Sequence, residues 1–169
     1  MLYQSPFVTS LGPMVGCATD RGVCLLQFAD RPELFQELAK LEAHFGDGYA
    51  AASHPHLHTL EEELAAYFAG TLFRFTVPAD LSLGTSFQQS VWEILLTIRR
   101  GQTASYGSIA KQLGSPGASQ AVGLANGSNQ IAIVVPCHRV VGANGKLTGY
   151  AGGLERKKWL LRHEGALLL

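Results

Sequence analysis

The sequence predicts two small units in series, an α/β unit followed by a mainly α unit. Three observations carry that reading. The chain has 169 residues, 47% of them hydrophobic, which is core enough for one or two small domains. Its net charge of +0 hides a split: residues 1–83 hold four basic and ten acidic residues, and residues 84–169 hold nine basic and three acidic ones. The stretch "PADLSLGTS", Pro78–Ser86, has linker composition and lies where the sign changes. The predicted domains are therefore 1–80 and 84–169.

In the first half, "GPMVGCATDRGVCLLQFAD" holds two short apolar runs around Thr19-Asp20-Arg21-Gly22, a hairpin signal. In "RPELFQELAKLEAHFG", Leu34, Phe35, Leu38, Leu41 and Phe45 recur at helical spacing, with Pro32 suited to the first turn and Gly46 to the end. "TLEEELAAYFAG" predicts a second helix, capped by Thr59 with Glu62 three residues on and closed by Gly70. "TLFRFTVP" alternates like a strand.

The second half opens with "FQQSVWEILLTI", where Phe87, Val91, Ile94, Leu95 and Ile98 form one apolar helical face and Gly101 ends it. Ser105 can cap a short helix, Tyr106–Leu113; "GSPGA" is a turn; and a further helix can start near Ser119. Two short helices across a tight glycine-containing turn form a helix-turn-helix pattern. The strand-like "IAIVV" follows, then Asn144-Gly145, a tight-hairpin signal that would make a wing, and "LERKKWLLRHEG", an amphipathic helix. Its Arg156-Lys157-Lys158 run reads most simply as a solvated face.

A basic half on a neutral chain is the field that suits a polyanion on that half only, and attraction between the two halves is the plainer alternative. The candidate recognition segment carries no lysine or arginine from Ala118 to Gln130; it offers Ser119, Gln120, Asn126, Ser128 and Asn129 among glycine and alanine. Readers of the major groove usually present longer or basic side chains, whereas small residues allow the close approach of a shallow minor-groove contact. No apolar run reaches membrane-spanning length, and "MLYQSPFVTS" lacks a signal-peptide pattern. The expected location is cytoplasmic, or nuclear in a eukaryote. Three cysteines, Cys17, Cys24 and Cys137, form no disulfide framework.

Cys137 stands apart. Pro136 stops the apolar run, so the thiol sits where the chain must turn, with His138 and Arg139 next to it. Positive neighbours and a local base favour the thiolate, the nucleophilic form. Adjacent residues of an extended chain point apart, so His138 serves Cys137 only if the chain turns, or through one water. Glu164, in "RHEG", can orient the imidazole. Elsewhere, Cys17 and Cys24 could face each other across the hairpin, and "HPHLH" sets His54, His56 and His58 at alternate positions. A structural zinc on these residues is conceivable, but zinc-type spacing such as CxxC is missing. The expectation is no cofactor, with core thiols and a solvated histidine loop.

"IVVPCHRVVG" with "GYAGGLERKKWLLRHEG" resembles the O6-alkylguanine-DNA alkyltransferases, the methylated-DNA–protein-cysteine methyltransferases. "YFAG", "FQQSVWEILL" and "YGSIAKQLGSPGASQAVGLANGSN" also fit, so the resemblance covers almost the whole chain and is weaker before Leu60. PCHR would arise by chance in roughly one chain in a thousand. The resemblance implies a ribonuclease-H-like α/β domain and then a winged helix-turn-helix domain. The latter would act as a monomer on the minor groove of double-stranded DNA and flip out the damaged guanine. It implies that Cys137 takes and keeps the alkyl group, that His138 acts as base through a water, and that Glu164 holds His138. It further implies that Tyr106 donates a proton to guanine and rotates the phosphate, and that Asn129 bridges the motif beside the site. Ser119, Gln120, Arg139, Tyr150 and Ala151 would meet DNA or close the base pocket. The family's arginine in "ARAVG" is Gln120 here, which lacks the charge and stacking plane of guanidinium, and its frequent proline after the asparagine is Gln130. A non-catalytic binder of alkylated DNA and an ordinary thiol hydrolase are the alternative readings.

Overall fold

A computed structural model describes residues 1–46, 48–50 and 52–167. They form two compact units, Met1–Leu83 and Gly84–Leu169.

The first unit is built on one sheet. Its strands are β1 (Leu2–Thr9), β2 (Gly12–Thr19), β3 (Gly22–Phe28) and the short β4 (Tyr49–Ala50). They lie in the order β3-β2-β1-β4, antiparallel except for β4, which runs parallel to β1. The hairpin read from Thr19–Gly22 is there. The strand Leu2–Thr9 was not expected, because Pro6, Ser5 and Gln4 interrupt its apolar pattern. Helices α1 (Leu34–Phe45) and α2 (Pro55–Phe68) complete the unit. Leu2, Cys17, Cys24, Leu25 and Leu41 make a buried cluster in it.

Two expectations in this unit give way. Thr59 does not cap α2: the helix begins a turn earlier at Pro55, and the His54 ring accepts from the His56 N–H as the cap. Pro55 at the first helical position costs no hydrogen bond and pre-sets the backbone, so "HPHLH" is a helix start and not a loop. "TLFRFTVP" is no strand either. The buried Glu63 carboxylate of α2 accepts from Thr76 N and Oγ1 and from Val77 N, taking the donors a ladder would have used. The chain meets the sheet just after it, where Ala79 is bridged to Val23, Val23 N donates to Pro78 O, and Asp80 N donates to Val23 O.

The second unit is mainly helical: α3 (Ser86–Leu95), α4 (Tyr106–Gln112), α5 (Ser119–Gly127) and α6 (Leu154–His163), with β5 (Ala104–Ser105) and β6 (Val140–Val141) as a parallel pair. Capping boxes start α3 (Thr85 with Gln88) and α4 (Ser105 with Ser108). Each satisfies backbone donors that a helix start leaves open. Of the expected α3 face, Val91, Leu95 and Ile98 are buried while Phe87 is exposed. Gly84 precedes α3 because any Cβ there would collide with the Trp92 ring.

The "IAIVV" run is buried, as its composition requires, but it is not a strand. Val134 N bonds Ala132 O, Val135 N bonds Ile131 O, and Ile133 takes a positive φ of 70°. No hydrogen-bonded ladder runs through it; a single side chain clasps it instead, as described below. The predicted wing is likewise reduced to a turn. Gly145 N bonds Gly142 O, and Gly142 N bonds Lys146 O, but β6 pairs with β5 and not with a returning strand.

Candidate active site

The site begins with Asn129, just past the end of α5. Its Oδ1 accepts from Ile131 N at 3.0 Å, and its Nδ2 donates to Val135 O at 2.9 Å. One buried amide thus folds residues 131–135 into a compact coil and supplies the hydrogen bonds that a neighbouring strand would otherwise give. The coil delivers the chain to Pro136. Cys137–Arg139 then form one turn of 3₁₀ helix, with all three residues buried. The turn answers the objection that neighbours on a strand point apart.

His138 and Arg139 both reach Glu164, the first residue past α6. His138 Nε2 lies 2.7 Å from Glu164 Oε2; Arg139 Nε donates to Oε1 at 2.8 Å and Nη2 to Oε2 at 3.0 Å. The third guanidinium nitrogen in use, Nη1, donates to Ile98 O at 2.6 Å. Arg139 was expected at the DNA. It is turned inward instead and bound bidentately to a buried carboxylate, so it is not available to phosphate.

The protonation states follow from this network. Burial works against an ionised Glu164, but the hydrogen bond from His138 and the Arg139 guanidinium overcome it and hold its carboxyl well below the usual range. Burial, together with the charges of Arg139 and Lys157, keeps His138 below its ordinary value despite the pull of Glu164. Arg139 already neutralises Glu164, so His138 is the neutral imidazole. Its Nε2–H must donate to Glu164, because an ionised carboxylate only accepts. Nδ1 then carries the lone pair, and it has no hydrogen-bond partner among the described residues. The imidazole next in the chain to Cys137 thus has a fixed tautomer and an acceptor nitrogen.

Lys157 is the residue that reading the sequence missed. Its run of charges reads as a solvated face, yet Lys157 is 0% exposed, and its Nζ donates to Val140 O at 2.7 Å and Thr148 O at 3.1 Å. Burial lowers its pKa and an electrostatic interaction with Cys137 opposes that, so ammonium and thiolate favour each other. The signal was present: Lys157, Leu160 and Leu161 share a face at i, i+3 and i+4.

Tyr106 opens α4. Its hydroxyl is 2.6 Å from Thr148 Oγ1, and its ring packs on α5 at Gly123, where a Cβ would lie 3.7 Å from it. Tyr150 comes from the same segment as Thr148, and its ring stands edge-on to His138 at 6.5 Å between centroids. Asn126 lies on the buried face of α5 and donates to Cys137 O at 3.4 Å. Ser119 is half-buried at the start of α5, while Gln120 and Ala151 are exposed. Cys137, His138, Glu164, Asn129, Asn126 and Lys157 are thus joined in one region, with Tyr106 and Tyr150 tied to it through residues 148–150.

The residues weighed for zinc do not converge. Cys17 pairs in register with Leu25, and Cys24 falls at the bulge in that ladder, both inside the core. His54 and His56 turn to Asp20, and His58 is exposed. Among the described residues no group of three or more His, Cys, Asp or Glu is placed to hold a metal. No helix among them is long and apolar enough to cross a membrane.

The family model described as "6-O-methylguanine DNA methyltransferase, DNA binding domain" matches residues 86–166. A methylated-DNA–protein-cysteine methyltransferase of Shigella flexneri is 46% identical over 99% of this chain and 98% of its own. One of Mycobacterium bovis is 64% identical over 61% of this chain and 62% of its own. The O6-methylguanine methyltransferase of Mycobacterium tuberculosis superimposes with a TM-score of 0.82 at 42% identity, covering 98% of this chain and 94% of that one. The structure of Mycobacterium tuberculosis OGT in complex with DNA gives 0.80 at 42% identity, over 97% and 93%. A buried cysteine turn on a shared fold, and identity running the length of the chain, meet in one conclusion: the chain belongs to the methylated-DNA–protein-cysteine methyltransferase family.

Proposed function

We propose that this protein repairs DNA by direct reversal. It transfers a methyl or other alkyl group from O6-alkylguanine, and from O4-methylthymine, onto Cys137 in a single irreversible turnover. The carrying observation is the hydrogen-bonded chain from Cys137's neighbour His138 to Glu164 and Arg139, fully buried and with His138 Nδ1 left as acceptor.

The step balances simply. His138 Nδ1 takes the thiol proton through a water, aided by the Lys157 charge. The thiolate sulfur attacks the alkyl carbon, an S–C bond forms, the C–O6 bond breaks, and its electrons leave on guanine. Tyr106 protonates the departing base, which then leaves more easily. The product is a thioether. Unlike a thioester it has no carbonyl for water to attack, so the thiol is not regenerated and each molecule acts once.

The target oxygen lies inside the base stack, so the base is flipped out, at lower cost for a damaged pair. On this reading the first unit has the ribonuclease-H-like arrangement and the second the winged helix-turn-helix one. The second binds the minor groove as a monomer through α5, with Gln120 at the gap, Ser119 on the backbone, and Tyr150 and Ala151 over the base. The basic balance of residues 84–169 and the small residues of α5 support it. Cytoplasmic residence, no cofactor and no metal belong to the same reading.

The test is the mass of the protein after mixing with DNA that contains O6-methylguanine. One added methyl per chain, on Cys137, is expected. Unchanged mass with tight binding would mean a non-catalytic binder, and repeated turnover would mean a hydrolase.

A further inference from the structure

We propose that Thr148 is a positioning residue for the proton transfer. Its hydroxyl donates to the Tyr106 oxygen, turns the Tyr106 proton towards the departing guanine, and stabilises the phenolate left behind. The assignment rests on the alkyl transfer proposed above, with Tyr106 as its acid.

Thr148 follows the turn in which Gly142 N donates to Lys146 O, and its contacts decide where its groups point. Its carbonyl accepts from Lys157 Nζ at 3.1 Å, and the same ammonium donates to Val140 O at 2.7 Å. The backbone is thereby tied to α6 and, through Lys157, to β6. Its methyl carbon Cγ2 lies 3.6 Å from where a Cβ on Gly142 would stand. Its Oγ1 is 2.6 Å from the hydroxyl of Tyr106, the first residue of α4. A β-branched side chain is stiff at χ1, so seating the methyl also sets the hydroxyl. Both residues are half-buried, where a hydrogen bond is stronger than in open water.

Of the two hydroxyls, one donates to the other. If Tyr106 donates, its proton is committed to Thr148 and turned away from the substrate. If Thr148 donates, the Tyr106 O–H is left to rotate onto the base. The second arrangement is the one that can react.

The step balances. As the C–O6 bond breaks, its electrons pass to guanine, and a ring nitrogen takes the Tyr106 proton. The O–H electron pair stays on the Tyr106 oxygen, which becomes a phenolate. Thr148 keeps its own proton and donates a hydrogen bond to that charge as it develops. Bonds to an ionised partner are roughly twice as strong as neutral ones, so the contact tightens in the transition state and raises the rate, not the affinity. Water returns a proton to the phenolate after the base has left.

Valine is the matching probe. It keeps the β-branch and the main-chain carbonyl that Lys157 holds, and removes only the hydroxyl. Wild type, Thr148→Val, Tyr106→Phe and the double variant are compared in methyl transfer from O6-methylguanine in duplex DNA. Single turnovers at saturating DNA are followed by mass, and DNA affinity is measured separately. Thr148→Val should slow transfer by about tenfold, as for one hydrogen bond to a charged group, and leave affinity within about twofold. In the Tyr106→Phe background the same change should have no further effect, since no phenolate forms there. Thr148→Ser should restore most of the rate, because it returns the hydroxyl. Thr148→Ala repeats the comparison if valine disturbs folding. A rate unchanged by loss of the hydroxyl overturns the proposal. So does an equal slowing in the Tyr106→Phe background, a loss confined to affinity, or a serine that restores nothing. A normal rate in Tyr106→Phe overturns Tyr106 as the acid, and a wild-type protein that gains no methyl overturns the transfer reaction itself.

Discussion

The protein buries its three cysteines in two unlike surroundings. Cys17 and Cys24 lie in the apolar cluster of the first unit, where burial pushes the Cys17 thiol up to about 12 and Cys24 higher still. The charges that reach Cys24, from Cys17 and Asp80, raise it further. Cys137 is as buried, but it opens a 3₁₀ turn, with a neutral imidazole next in the chain and the Lys157 ammonium in range. Burial alone makes a thiol inert; what separates the two regions is a polar network that follows one of them into the core.

The largest expected effect breaks the comparison at the sulfur. Cys137→Ser should abolish methyl uptake, while Cys17→Ala should keep one methyl per chain and lose only stability, by about 1–3 kcal/mol for a buried side chain. Intact-protein mass with a thermal melt checks both arms.

Glu164→Gln attacks the network and leaves the thiol alone. It frees the His138 tautomer and leaves Arg139 as a buried charge without its carboxylate. Transfer should slow by roughly a hundredfold or more, the usual contribution of a positioned base. Folding should weaken by about 3–5 kcal/mol, as for a broken buried pair. Single-turnover kinetics and denaturant unfolding give the two numbers.

Acid should act in the same direction. The folded pKa of His138 lies below its ordinary value, so its contribution to stability is complete above about pH 6.5 and declines as the pH falls below that. Glu164 is also held low when folded, so a second loss begins below about pH 4.3. Melting temperatures should therefore be level above neutrality and fall in two stages. His138→Asn should flatten the upper stage, and an unchanged upper stage would mean that His138 is not the group responsible.

The smallest effect sharpens the comparison at the surface. Gln120→Arg should raise duplex affinity and repair rate a few-fold, since a guanidinium adds charge and a stacking plane at the gap. An unchanged rate and affinity would show that Gln120 fills the gap as well as arginine.

Much of this was legible in order along the chain. The hairpin at Thr19–Gly22, the caps at Ser105 and the start of α5 are local signals, and local sequence decides them. Cys137, His138 and Glu164 were legible because their types and their resemblance to a known pattern carry the chemistry. The misreadings share one cause. "TLFRFTVP" and "IAIVV" have the side chains of strands, but the side chains of Glu63, on α2, and of Asn129, just ahead of the run, capture their backbone groups. Arg139 and Lys157 look like surface charges until Glu164 and two carbonyls are found facing them.

The sequence by itself determined the two-unit order, the split of charge and which cysteine is proposed to react, because composition, periodicity and residue type are properties of neighbours. Only the tertiary structure decided that Arg139 holds Glu164 inside the protein, that Lys157 is buried within electrostatic reach of Cys137, and that the oxygen of Asn126 lacks a partner among the described residues. Those depend on which groups meet across 9 to 41 positions of chain, where a buried polar atom must find its complement or go without.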